Sequence, residues 1–215
     1  MARNLKMPDL AFLMCIIGRR KSGKSSLCID LLTDPKYLNH KFEKIIFISP
    51  TIDLDTTWKD CSIDFDDPNI EVFTEFRQDQ IEEIIEVQRE HVETVGSENA
   101  DSILLVLDDC LADKEFKMKG ENHLFKIANN GRHLKISIIV LAQKITGIPT
   151  EIRSQADSMF VFATNSQREI TNLRQDCDID KYTMGLATGE RYTFIHALNE
   201  GGRMRIYNSA GQLLQ

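Results

Sequence analysis

The chain contains no run of about eighteen apolar residues, the length a helix needs to cross a bilayer, so no membrane span is expected. Its five cysteines, Cys15, Cys28, Cys61, Cys110 and Cys177, include no C-x-x-C pair. That argues against a thiolate zinc site and against a disulfide framework, and it suits a reducing compartment. The five histidines (His40, His91, His123, His133, His196) show no ligand spacing, so no imidazole-based metal centre is expected. The first residues, Met1 to Lys6, lack the layout of a signal peptide. Positive charge is in deficit: 26 Lys and Arg against 33 Asp and Glu leave a net charge of −7. This disfavours a monomer that grips nucleic acid over its whole surface. It leaves room for a local basic patch, or for charged loops that converge in a ring. Repeats and low-complexity segments are also missing.

What is present fits one α/β domain over residues 1–215, with a hydrophobic fraction of 42% and a charged fraction of 27%. Apolar runs at 10–17, 44–50, 70–73, 102–107, 136–142 and 159–163 read as strands. Helical spacing follows the first run over 26–32. It recurs from Asp79, where Glu82 completes a capping box, and again over about 121–130 and about 167–176. The segment 51–68 is acidic and turn-rich and reads as a surface excursion; 111–123 reads as a charged loop. Strands alternating with helices predict a mostly parallel sheet covered on both faces. The tail alternates more strictly, and 191–197 and 203–207 flank Asn199-Glu200-Gly201-Gly202, which predicts a C-terminal β-hairpin at about 190–208.

The most informative residues are Gly18-Arg19-Arg20-Lys21-Ser22-Gly23-Lys24-Ser25. They spell G-x-x-x-x-G-K-S between a predicted strand and a predicted helix. In such a loop the glycines let backbone N–H groups curl around phosphate oxygens. The lysine reaches the outer phosphates and the hydroxyl coordinates Mg²⁺. ATP and Mg²⁺ are therefore expected ligands, with 18–25 and Ser26 around the phosphates and Ser25 on the metal.

Asp108-Asp109 ends the run 104–107. A carboxylate at the C-terminal end of a buried strand faces the ligand crevice of an open α/β sheet. There Asp108 suits Mg²⁺, through water, and Asp109 suits a base that orients and deprotonates a water aimed at the γ-phosphorus. Gln143 ends the next strand and is placed to sense the γ-phosphate or align that water, provided the strand order sets it between the two motifs. Arg132, just before that strand, is the first candidate for an arginine acting on a neighbouring subunit's γ-phosphate. Arg153, Arg168 and Arg174 compete with it. Lys114, Lys117 and Lys119 surround Phe116 and Met118; in a ring such a loop reaches a nucleic-acid backbone, and otherwise it is a solvated loop.

Together these motifs resemble the FtsK–HerA superfamily of P-loop motor ATPases, and within it the poxvirus-type genome-packaging ATPases of large double-stranded DNA viruses. The likeness spans about residues 10–175. It rests on Gly18–Ser25, Leu105–Asp109, Gly131-Arg132-His133 with Ile136-Ser137, Ala142-Gln143, and Ile148–Arg153 ahead of Phe160-Val161-Phe162. It implies a three-layer P-loop NTPase fold of the RecA-like kind, with an extra strand between the two phosphate-motif strands. It implies ATP hydrolysis, a homo-oligomeric ring, and pumping of double-stranded DNA into a preformed capsid, with capsid or portal partners at assembly sites in the host cytoplasm or in the virion. On that resemblance Lys24 and Ser25 serve phosphate and Mg²⁺, Asp108 serves Mg²⁺, Asp109 is the water-activating acid and Gln143 the sensor. The chain departs from it in carrying Asp at position 109, where many relatives carry Glu, and in the basic 19–21 stretch. It also leaves no room for a separate N-terminal barrel or C-terminal winged helix, so DNA contact falls to loops or partners. Two other readings stand beside this one. One is a P-loop kinase of small molecules or nucleosides, for which Thr188-Gly189-Glu190-Arg191 offers only a thin lid. The other is a nucleotide-gated assembly protein with negligible turnover.

Overall fold

The computed structural model describes residues 4–118, 122–187 and 189–215. Among them, eight strands form one sheet. Six are parallel: β1 (Leu13–Ile17), β2 (Lys44–Ile48), β3 (Ile70–Phe73), β4 (Ile103–Asp108), β5 (Ile136–Ala142) and β6 (Ser158–Phe162). Two are antiparallel: β7 (Phe194–Glu200) and β8 (Arg203–Asn208). The order is β3-β2-β4-β5-β1-β6-β7-β8. Thus β5 lies between β1 and β4, where the resemblance placed an extra strand.

The central strands are apolar throughout because helices cover both faces of the sheet. Alternate residues of β1 point to opposite sides. Phe12, Met14 and Ile16 pack with Leu27, Cys28 and Leu31 of α1 (Lys24–Thr33) and with Trp58 of α2 (Thr56–Lys59). Leu13, Cys15 and Ile17 share the opposite core with α3 (Gln78–Val95), α4 (His123–Leu134), α5 (Thr150–Arg153), α6 (Gln167–Cys177) and α7 (Lys181–Ala187). The result is the expected three-layer α/β architecture. Among the described residues no helix is long and apolar enough to cross a membrane.

Four local expectations are corrected. The helix expected from Asp79 starts at Gln78 with Arg77 as N-cap and has no capping box. Its first N–H, that of Gln78, donates to the Glu115 carboxylate at 2.7 Å, so a distant loop supplies the cap. The excursion 51–68 is not all surface: it holds α2, whose Trp58 is fully buried between Phe47 and Phe65. The helix expected over 121–130 runs on to Leu134, so Gly131-Arg132-His133 is its last turn. The first hairpin strand begins three residues later than the alternation suggested, at Phe194, because Glu190–Thr193 closes a turn. The hairpin itself turns on Gly201 and Gly202, both at positive φ.

Close packing against β5 explains the glycine, Gly131, in the last turn of α4. A Cβ there would lie 2.7 Å from the carbonyl oxygen of Ile136, the first residue of β5. Gly131→Ala is expected to lower stability by about 1–3 kcal/mol, since neither backbone can yield without moving β5. Urea denaturation of the two proteins measures this.

Candidate active site

The parallel register brings the C-terminal tips of β1, β4 and β5 to one edge. Ile17 lies opposite Ala142, and Asp108 opposite Leu141. The backbone N–H of Gly18 continues the ladder by donating to Ala142 O at 2.9 Å. Residues 18–23 then turn sharply into α1. Lys21 (φ 61°) and Gly23 (φ 105°) take left-handed conformations, and Gly23 caps the helix. Gly18 has no space for a side chain, since a Cβ would fall 2.5 Å from Ser22 Oγ and 2.8 Å from Phe162 Cβ. The loop has the backbone shape that suits a phosphate at a helix N-terminus, with Ser25 in the first turn.

Lys24 is nearly buried, and its ammonium donates to Arg19 O at 3.4 Å. Burial lowers its pKa, while the nearby carboxylates of Asp108, Asp109 and Asp55 act the other way. Across β5, Asp108 is 4% exposed. Burial pushes its carboxyl up to about 6, and the charge of Asp109 adds to that. A hydrogen bond opposes the rise: Trp58 Nε1 donates to Asp108 Oδ2 at 2.8 Å. Asp109 sits in the left-handed region (φ 54°) immediately after the strand. Gln143 Nε2 donates to Asp109 Oδ1 at 3.3 Å. The structure therefore joins the second acid to the tip of the intervening strand, and it leaves Asp108 Oδ1 uncommitted by Trp58.

The donor set fits Mg²⁺. It consists of hard oxygen ligands, the Asp108 carboxylate and the Ser25 hydroxyl, beside a loop shaped for phosphates that supply the rest. Among the described residues no group of three or more His, Cys, Asp or Glu forms a self-sufficient metal cage. That suits an ion held jointly with its nucleotide.

Two residues of this site carried no sequence signal that singled them out. Trp58 is the only tryptophan of the chain and falls in a segment that reads as polar; an isolated bulky aromatic among acids was the available clue. Glu169 is buried on α6 and accepts from Ile145 N at 2.7 Å and Thr146 Oγ1 at 2.8 Å. It thereby fixes the loop that leaves Gln143. A cleft of about 300 Å³ opens there, lined by Gly18, Arg19, Gln143, Thr146, Phe162 and Arg168.

The other arginine candidates, Arg132, Arg153 and Arg174, lie elsewhere. Arg132 is 77% exposed and pairs at 3.2 Å with Asp157, which precedes β6. It thus stands at the N-terminal edge of the sheet, about 20 Å from the phosphate loop across the seven residues of β5. Arg153 is held in a largely buried ion pair with Asp176 at 2.7 Å, and it donates to Asn172 Oδ1. Arg174 lies in the last turn of α6. In the lysine loop, Phe116 is fully buried against Phe76, whereas Lys114 and Lys117 are exposed. Lys119, with Gly120, Glu121 and Thr188, lies outside the described residues.

The elevated Asp108 pKa has a consequence for stability. While Asp108 is ionised, above pH about 6, its burial works against folding. The penalty fades as the pH falls toward the ordinary value of 3.8. A rise of that size corresponds to about 3 kcal/mol. Asp108→Asn keeps an acceptor for Trp58 and removes the charge. The unligated variant is expected to melt higher than the parent at pH 7, by up to that amount, with the gap closing toward pH 5. Thermal denaturation at the two pH values checks it.

The chain can be set against known proteins. It is 32% identical over 163 residues to protein 075L of Invertebrate iridescent virus 6, covering 74% of this chain and 57% of that protein. It is 29% identical over 154 residues to protein 015R of Frog virus 3, covering 71% and 44% respectively. It thus spans about half the length of the curated relatives it matches. Among solved structures, the genome packaging NTPase B204 of Sulfolobus turreted icosahedral virus 2 superposes with a TM-score of 0.67 at 18% identity, over 91% of this chain and 96% of that one. EssC (ATPases 2 and 3) of Geobacillus thermodenitrificans gives a TM-score of 0.57 at 17% identity, over 93% and 40%. These two likenesses show the P-loop ATPase fold. The model of the poxvirus A32 protein family matches residues 3–188, and the chain belongs to that family.

Proposed function

We propose that this chain is the ATP-hydrolysing motor of viral genome packaging, which drives double-stranded DNA into a preformed capsid as a homo-oligomeric ring. One observation carries the reading. The phosphate loop and the acid pair share one strand-tip edge, and the Gln143–Asp109 hydrogen bond joins the acid pair to the tip of the strand between them. The family membership supports it, as does the likeness to B204. B204 of Sulfolobus turreted icosahedral virus is described as a DNA-packaging ATPase, and B204 of Sulfolobus turreted icosahedral virus 2 was solved with AMP, AMPPCP and ATP-γS.

In this reading the N–H groups of 18–25 cradle the phosphates and Lys24 neutralises the outer ones. Ser25 and Asp108 would hold Mg²⁺, which would supply charge neutralisation to the phosphates. Asp109 takes a proton from water as its oxygen bonds to the γ-phosphorus. The bond from that phosphorus to the β–γ bridging oxygen breaks, which gives ADP and inorganic phosphate. Gln143, already hydrogen-bonded to Asp109, holds the carboxylate in line and responds to loss of the γ-phosphate. Its loop is tied to α6 through Glu169, so the response passes to the exposed edge of the domain. Arg19 and Arg168 line the adjoining cleft. Arg132, at the far edge, serves only a neighbouring subunit's nucleotide; Arg153 must first leave Asp176 to act at all. Lys114 and Lys117 meet the DNA backbone without reading sequence. The site of action is the host cytoplasm, where virions assemble.

ATP turnover of the full chain, measured with and without duplex DNA across a salt series and beside a mass measurement, tests this. The expected result is a multimer whose turnover rises with DNA and loses that stimulation as salt increases. Lys24→Ala and Asp109→Asn are each expected to lower turnover by about 100-fold or more. Transfer of labelled γ-phosphate to a metabolite would instead identify a kinase, and a ring without turnover an assembly protein.

A further inference from the structure

The strand order gives the phosphate loop two unlike sides. Toward β5 and β4 lie the acids, so the γ-phosphate end of a bound nucleotide points that way. Toward β6 and β7 lies an aromatic wall. Tyr192, two residues before β7, is 48% exposed as a residue, and its Cδ1 lies 3.2 Å from the position a Cβ on Gly23 would take. Phe162, at the end of β6, closes the gap beneath at 3.5 Å from the same point. Gly23 is therefore needed at this step of the loop both for its φ of 105° and because Tyr192 occupies the space beside it.

Tyr192 is itself in the left-handed region, with φ 65°. That conformation is costly for an aromatic residue. The turn that imposes it is closed by Thr193, whose N–H and Oγ1 both donate to Glu190 O, the hydroxyl at 2.6 Å. Arg191 lies over the Tyr192 ring, with its guanidinium carbon 4.7 Å from the centroid. A half-exposed tyrosine thus stands against the last glycine of the phosphate loop, at the end away from the acids, with the Arg191 guanidinium over its ring. No burial of apolar surface explains an aromatic half open to solvent in a strained turn.

We propose that Tyr192, with Arg191, is the platform on which the base of the bound nucleoside triphosphate stacks. The inference rests on the phosphate-loop reading above and extends it to the base end of the nucleotide. Stacking on a π surface tolerates every base and favours the larger ones. The site then accepts ATP and GTP with similar affinity and binds CTP more weakly.

Equilibrium binding of ATP, GTP, CTP and inorganic tripolyphosphate to the full chain tests it. The variants are Tyr192→Ala, Tyr192→Phe and Lys24→Ala. Tyr192→Ala is expected to weaken ATP and GTP by about tenfold while leaving tripolyphosphate unchanged, and Tyr192→Phe to retain parental ATP affinity. Equal weakening of ATP and tripolyphosphate by Tyr192→Ala would show a ring that merely shapes Gly23, and would overturn the proposal. So would unchanged ATP affinity. Lys24→Ala separates the two readings: it is expected to weaken all four ligands, and undiminished binding there locates the failure in the phosphate loop, not at Tyr192.

Discussion

The pairing of β5 with β1 on one side and β4 on the other is the constraint on which the site depends. Parallel ladders are evenly spaced and leave little freedom of register where both faces are buried. Once Ile17 is opposite Ala142 and Leu141 opposite Asp108, the phosphate loop, Gln143 and the acid pair stand at one height. The Gly18–Ala142 hydrogen bond carries that register into the loop itself. A slip of one residue would turn Asp108 to the other face of the sheet and take that carboxylate away from Lys24.

Burial then sets the chemistry at that edge. The helices on both faces exclude water, so the Asp108 carboxyl is pushed upward and Lys24 downward, both by desolvation. The protein holds these groups at a cost in stability. Trp58 limits that cost for Asp108 by donating to one oxygen while leaving the other uncommitted. This places the 51–68 segment in the site's electrostatics, although its sequence looks like solvent-facing chain. Glu169 anchors the loop after Gln143 in a similar way: a buried carboxylate accepts two hydrogen bonds and ties the turn at Ile145 and Thr146 to the start of α6.

The likeness to poxvirus-type proteins carried by the motifs agrees with the family the chain belongs to. The fold followed from continuous apolar strands, because burial on both faces leaves that pattern in composition alone. Elements whose stabilisation is non-local were harder to read. The start of α3 depends on Glu115, thirty-seven positions away, so a local capping box at Asp79 and Glu82 misplaced its logic. The close approach of the last turn of α4 to β5 depends on Gly131 lying against Ile136, and nothing within 121–130 reveals that contact. Alternation in the tail suggested strand from Arg191, but a left-handed turn at Tyr192 intervenes.

By itself the sequence determined the chemistry on offer: a glycine-framed loop with Lys24 and Ser25, two adjacent acids, a glutamine at a strand end, and alternating elements that must form a covered parallel sheet. These are local facts of residue type and spacing. Only the tertiary structure decided which groups meet. It set β5 between the two motif strands, bound Gln143 to Asp109, buried Trp58 against Asp108, and sent Arg132 to the opposite edge with Asp157. It also laid Tyr192 against Gly23. Such meetings arise from strand order and packing, which join residues far apart in the chain and leave no periodic trace within any one segment.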